Sequence, residues 1–359
     1  MTPAVRTTAD EEVWSEQDTT PARIEAALRR LLAERHHAAG SVAPARVLNL
    51  VVVADRSYRG EIENRLLRVG RYHPSRTVLC AVEPRRTTID AWASMATEPV
   101  GPAGLAISRE RVELDIGEKH LRSLETIVGP LVVPDLTTLV WAPLGHHEAE
   151  EALRDLAQIV LVDSISEPDV EPALHRVIGL MDDLYAVDLA WLRSTPWRER
   201  VAAAFDPKPL RTDLRSISAV TVRHRHDSVA PAALFVGWLA SRLGWRCAPL
   251  LRRSDDLVGR ARARRGDVQV TLNPVEQLSA PGLAGVTIES ASGASVSLDR
   301  APGGLREVRR ARDGSEREST VLGASRGEGG ILGEGVRQAL LRDRTYRPAL
   351  LAAYELVHR

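Results

Sequence analysis

Asp55, His73, Ser75, Arg76, Asp163 and Ser164 are the side chains whose types and spacing suit the binding of a small anionic ligand. Asp55 and the Asp163-Ser164 pair each follow an apolar, strand-like run, and His73 to Arg76 (His-Pro-Ser-Arg) fill a loop beside another. A sugar phosphate held at the carboxyl ends of a first sheet's strands is the chemistry this set would support. Other chemistries fail on spacing. The first buried run leads from Val53 into Ala-Asp-Arg-Ser-Tyr-Arg, with no glycine to admit a pyrophosphate. Neither lysine, Lys119 or Lys208, stands in a phosphate loop, and no Gly-x-Ser-x-Gly elbow is present.

His224 and His226 flank Arg225 at a strand end and lack a third metal ligand at a usable spacing, so they read as a solvated strand end. The glycines from Gly327 to Gly335 read as a flexible connector. The arginine cluster from Arg252 to Arg265 is mixed with Asp255, Asp256 and Asp267, which favours a solvated loop over a phosphate-binding patch. No catalytic residues, metal or cofactor are assigned.

The elements that must position these residues follow from hydrophobic period. Thr20 and Pro21 start a helix with the stripe Ile24, Leu28, Leu31 and Leu32. Arg46 to Ala54 reads as a strand buried on both faces, followed by a helix over 57–70 and a strand at Thr77 to Val82. Residues 84 to 108 read as a polar excursion. A strand around Val112 to Ile116, a helix over 119–128, and strands at Thr138 to Trp141 and Ile159 to Val162 complete an α/β domain with a mostly parallel sheet and helices on both faces. A helix is expected from Ala173 to Leu192. Beyond it, strands at 217–222, 247–251, 268–272, 286–289, 295–298 and 307–310, with helices at 231–243, 336–341 and 349–357, indicate a second mixed α/β domain richer in antiparallel strands. The expected organisation is a flexible tail (1–19), an N-terminal domain (20–165), a helical junction (166–210) and a C-terminal domain (211–359).

The junction carries the most distinctive segment, Asp188 to Asp206, with Trp191 and Trp197 on either side of a Thr195-Pro196 helix start. Continuing the apolar stripe of the preceding helix lands on Asp188, which predicts a buried carboxylate paired with Arg193 or Arg198. Trp191, Arg193, Trp197 and Arg198 have the residue types of a partner interface, and equally those of a packing node.

Composition narrows the class. In 359 residues the 48 Lys+Arg equal the 48 Asp+Glu, which removes the electrostatic ground for a nucleic-acid partner. No apolar run is long enough to span a bilayer, and the polar start lacks a secretory pattern, so a soluble cytoplasmic protein with no membrane partner is expected. Cys80 and Cys247 are too far apart in sequence to suggest a disulfide scaffold or a zinc site.

Taken in order, Ala45 to Val52, His73 to Thr77, Gly129 to Trp141 with its Pro134-Asp135 pair, Asp163-Ser164 and, above all, Asp188 to Asp206 resemble the OpcA family of glucose-6-phosphate dehydrogenase assembly proteins. The resemblance implies a non-enzymatic protein whose partner is glucose-6-phosphate dehydrogenase, and which promotes its assembly or activation in the oxidative pentose phosphate pathway. For photosynthetic members it also implies thioredoxin-dependent control through cysteines. With only Cys80 and Cys247 here, that control is not carried over. The competing expectation is a sugar-phosphate-binding enzyme or sensor using the sheet-edge residues named first.

Overall fold

Leu48 to Ala54 are all buried, as an unalternated Val/Leu run requires, and they form the strand on which the first sheet is centred. The computed structural model describes residues 11–38, 46–70, 74–100, 105–143, 145–208, 210–276, 278, 280–322 and 327–358. In chain order these contain β1 (Glu11–Glu16), α1 (Pro21–Ala38), β2 (Leu48–Asp55), α2 (Arg59–Gly70), β3 (Ser75–Glu83), β4 (Asp90–Val100), β5 (Leu105–Gly117), α3 (Leu124–Val128), β6 (Thr138–Trp141), α4 (His147–Ala152) and β7 (Ile159–Val162). Next come α5 (Val170–Leu180), β8 (Tyr185–Asp188), α6 (Leu189–Arg193), α7 (Thr195–Ala204), β9 (Ile217–Arg225), α8 (Val229–Leu243), β10 (Leu251–Arg253) and β11 (Asp256–Ala263). The chain ends with β12 (Gly266–Val275), β13 (Leu283–Ser290), β14 (Ser295–Ala301), β15 (Gly304–Arg310), β16 (Glu316–Leu322), α9 (Gly327–Leu341) and α10 (Tyr346–Val357).

The chain divides into two compact units. The first holds the described residues up to Val162, with Asp183–Val187 and Glu328–Leu340; the second holds Asp163–Asp182, Asp188–Gly327 and the described residues from Leu341. Residues 166–210, expected as a junction, thus give most of β8 to the first unit and α5 to α7 to the second.

The first unit's sheet has the order β1-β4-β5-β3-β2-β6-β7-β8. Strands β5, β3, β2, β6 and β7 run parallel, and β4 and β1 extend one side as antiparallel additions. From β2 the chain steps one way to β3 and later crosses back to β6, so the order reverses between β2 and β6. Right-handed crossovers then put the two connections on opposite faces. Read from β2, the order is that of a dinucleotide-binding sheet, whose crevice opens at the carboxyl ends of β2 and β6. Asn49, the polar break in the β2 run, is buried and ties the Pro134-Asp135 turn to this strand. Its side chain donates to the Val133 and Leu136 carbonyls at 3.0 and 3.3 Å and accepts from the Val133 amide at 2.9 Å.

The second unit contains a mixed sheet of order β10-β11-β12-β9-β13-β14-β15-β16, antiparallel except where β12 meets β9. One face is dry: Val220, Val222, Val270, Leu272, Val286 and Ile288 are buried, and α8 packs on β9 and β12. Helix α10 packs in turn on α8 across Gly237.

Several expectations are corrected. Within the expected polar excursion, residues 90–100 form β4 and 105–108 begin β5, the strand expected around Val112 to Ile116; the inward positions of β4 are the small Ala91 and Ala93 with Met95. Residues 11–16, read as tail, pair with β4 as β1. The helix expected over 173–192 stops at Leu180, and Tyr185–Asp188 is a strand. The arginine cluster is the β10–β11–β12 ladder, in which Arg260 and Arg262 face outward around a buried Ala261. The glycine-rich connector begins α9, fixed by the buried Leu332, Val336 and Ala339.

At Gly237 an added Cβ would overlap the Ala349 carbonyl and lie 2.7 Å from the Ala353 amide nitrogen. Gly237→Ala is therefore expected to destabilise the second unit by about 1–3 kcal/mol through overpacking. Thermal unfolding would register a lower Tm, and an unchanged Tm would show that the two helices part at little cost.

Candidate functional site

At the crevice of the first sheet, Asp55 ends β2, and its Oδ1 lies 3.0 Å from His146 Nε2 just beyond β6. A 3-10 turn, Arg56–Tyr58, stands where a glycine loop would lead into the first crossover helix. Arg56 reaches Glu83 at 2.7 Å and Asp115 at 3.4 Å, while Arg59, the first residue of α2, pairs with Glu63, Glu113 and Asp115. Glu83 closes β3, the position from which a dinucleotide fold reaches the ribose. Here Arg86 and Arg56 hydrogen-bond Glu83 and hold its carboxyl below the usual range. These side chains satisfy one another, and the set does not fit a dinucleotide: the turn after β2 holds Arg56, Ser57 and Tyr58 with no glycine, and the ribose acid is already paired.

The expected ligand set does not assemble at this edge. Ser75 and Arg76 begin β3, so they lie at the opposite end of a nine-residue parallel strand from Glu83, about 25 Å away. The motif precedes its strand, and in a parallel sheet such residues fall on the amino edge. Arg76 is buried, bonded to Glu110 at 2.7 Å and to the Leu131 carbonyl at 3.2 Å, with Arg46 on the same carboxylate. His73 lies outside the described residues.

Asp163 and Ser164, directly after β7, belong to a buried network of the second unit. Arg193 holds Asp163 through two parallel bonds, 2.8 and 2.9 Å long. Ser164 donates to Asp188 from its amide at 3.1 Å and its hydroxyl at 2.6 Å. The Ala190 amide adds a bond at 2.9 Å and Tyr346 Oη one at 3.0 Å, so four donors satisfy a carboxylate with no solvent exposure. Asp188 is buried as expected, but its partners are these neutral groups instead of Arg193 or Arg198. It also caps α6, a role that the helical stripe did not suggest.

Trp191 continues the network. Its indole Nε1 donates to Asp343 at 2.9 Å, its ring lies 5.4 Å from that of Tyr346, and the Arg198 guanidinium sits 3.4 Å from its centroid. Arg198 donates to Ser194 Oγ, Thr195 Oγ1 and the Trp191 carbonyl, and burial pushes its pKa down to about 10. Asp343 resists the upward push of burial because Thr345, Trp191 and Arg198 hold its carboxyl below the usual range. Helix α7 starts one residue earlier than expected, with Ser194 at the cap and Thr195 as its first residue. Trp191 and Trp197 are 2% and 3% exposed, Arg198 is buried with them, and the Arg193 side chain is 8% exposed. Of the two expectations for these side chains, their low exposure fits the packing node.

Burial raises both Cys80 and Cys247 thiols to about 12. His224 is buried on the dry face of the second sheet, not solvated, and donates from Nδ1 to the Arg225 carbonyl at 2.7 Å. Among the described residues no group of three His, Cys, Asp or Glu is placed to hold a metal, and no helix is long and apolar enough to cross a membrane.

Burial, reinforced by the nearby Asp163 charge, raises the Asp188 carboxyl above its ordinary 3.8. The folded chain therefore binds this proton more tightly than the unfolded chain, and the group's contribution to stability falls as pH rises from 3.8 to the folded value. Asp188→Asn is expected to abolish that slope in denaturant unfolding. At neutral pH it should also cost about 2 kcal/mol, because an amide NH2 meets donors, while Tyr346→Phe costs about 1 kcal/mol. An unchanged pH profile would contradict the assignment.

Comparison with known proteins matches both halves of the chain. Residues 68–178 match the family described as the glucose-6-phosphate dehydrogenase subunit N-terminal domain, and residues 184–350 match its C-terminal domain. The putative OxPP cycle protein OpcA of Synechococcus elongatus is 31% identical over 141 residues, which cover 38% of this chain and 32% of that protein. The protein of the same name from Synechocystis is 30% identical over 129 residues, covering 35% and 27%. The matched stretch spans about a third of the length of these curated relatives. An oxidoreductase from Bacillus cereus superposes over 86% of this chain and 96% of its own, with 9% identity and a TM-score of 0.45, a likeness too distant to add to the topology above. The two domain matches, in the order and spacing of the sequence blocks, place the chain in the OpcA family of glucose-6-phosphate dehydrogenase assembly proteins.

Proposed function

We propose that this chain is a non-enzymatic assembly or activating factor that binds glucose-6-phosphate dehydrogenase and favours its active conformer or oligomer. The observation that carries this reading is the ion-paired crevice: a sheet with dinucleotide-binding strand order whose first crossover offers Arg56 and Arg59, already bound to carboxylates, in place of a glycine loop. A sheet without its nucleotide chemistry serves as a scaffold, and function then rests on surfaces. The family matches and the names of the relatives support the choice of partner.

Such a factor acts only through its different affinities for two states of the enzyme. It leaves hydride transfer itself untouched. The competing idea, a sugar-phosphate site at the sheet edge, loses Ser75 and Arg76 to the opposite edge and finds Asp163 and Ser164 already bonded to Arg193 and Asp188, while the carboxylate of Asp55 repels phosphate.

Steady-state assays of the dehydrogenase with increasing amounts of this chain are expected to give a saturable fall in apparent KM for glucose 6-phosphate, or a rise in active fraction, with an unchanged isotope effect on hydride transfer. Calorimetry of the chain alone with glucose 6-phosphate or NADP is expected to give no saturable heat. Saturable heat together with unaltered dehydrogenase kinetics would favour the sensor instead.

A further inference from the structure

The second unit's sheet has a wet face opposite its dry one, and that face is organised. Leu251, Val258, Thr271, Thr221, Thr287 and Val308 lie on one line in register across β10, β11, β12, β9, β13 and β15, with Ser297 of β14 between the last two. All are solvent-accessible, and Leu251, at 63%, is the most exposed large apolar side chain among the described residues. None is charged. The lines on either side are charged with both signs: Arg223, Asp299 and Arg306 on one, Arg260, Glu289 and Arg310 on the other. An uncharged centre bordered by charged rows is the anatomy of a protein interface.

The face is also low over β13, where a glycine stands in place of a side chain. Gly285 sits between Arg223 and Asp299 in register, and a Cβ there would collide with both side chains. Its absence lets the Arg223 guanidinium lie along the sheet, 2.8 Å from Asp299 Oδ1 and 3.0 Å from Thr287 Oγ1. Eight strands at about 4.8 Å spacing make a surface about 38 Å wide. At about 20 Å of strand length this offers on the order of 800 Å², the area each partner gives to a stable interface.

We propose that this face is a self-association surface, on which a second copy of the chain seats the same face about a two-fold axis. The interspersed signs select this occupant: arginines and carboxylates on the same rows can meet their opposites in a rotated copy, and the face offers no single-signed field to draw a strongly acidic or basic partner.

The test uses the chain alone, so it succeeds or fails independently of dehydrogenase activation. Sedimentation from about 1 to about 100 μM is expected to show a monomer–dimer equilibrium. Thr221→Arg at the centre and Leu251→Asp at the margin should each weaken it, the central change by about 100-fold, with an unchanged circular dichroism spectrum. Should Thr221→Arg fail to fold, the exposed Leu251→Asp carries the test. A wild-type chain that stays monomeric throughout, or a dimer that the folded variants leave intact, overturns the proposal. So does a monomeric chain that loses dehydrogenase binding on Leu251→Asp, since the face would then belong to the enzyme.

Discussion

A carboxylate with no access to water must find its hydrogen bonds inside the protein, and the second unit is organised around meeting that demand at Asp188. Ser164 comes from the turn after β7, Ala190 from the first turn of α6 and Tyr346 from the start of α10, so one side chain fixes three segments. Tyr346 then supports Trp191, which is held on its polar edge by Asp343 and stacked by Arg198. Removing a donor leaves a buried carboxylate with fewer of its hydrogen bonds, which is why such networks specify one arrangement more strongly than apolar packing does. The tryptophans that dominate this stretch of sequence are the bulk of the node; Asp188 is its pin.

The first unit illustrates a different separation. Its strand order and crossovers reproduce a nucleotide-binding architecture, yet the positions that would carry the chemistry are committed to internal ion pairs. Glu83 with Arg56 and Arg86, and Arg59 with Glu113 and Asp115, make the carboxyl edge a self-satisfied surface. Architecture alone therefore says little about activity, whereas the state of particular groups at the crevice says much.

How far these features were legible depended on sequence distance and on side-chain size. The strand β2 and the first parallel sheet were readable because a Val/Leu run admits one environment, and the Asp188–Asp206 block was readable as a family signature. The partners of Asp188 were not: Ser164 and Tyr346 lie 24 and 158 residues away, and local spacing pointed instead to the nearest arginines. Strand β5 was readable through Val112, Leu114 and Ile116, but β4 was not, because alanines carry its inward alternation, nor was β11, because Arg-Ala-Arg-Ala reads as charge before it reads as period two. Ser75 and Arg76 lie on the opposite edge of the sheet from the one expected, because residues that begin a parallel strand fall at its amino end.

The central claim is that this chain works by contact with the dehydrogenase. Mixing the two purified proteins at fixed enzyme and rising chain concentration, and following the mass of the complexes in solution, tests it directly. The expected result is a saturable complex of fixed stoichiometry whose population rises with the active fraction of the enzyme. Two proteins that sediment independently at every ratio, under conditions where each is folded, would contradict it.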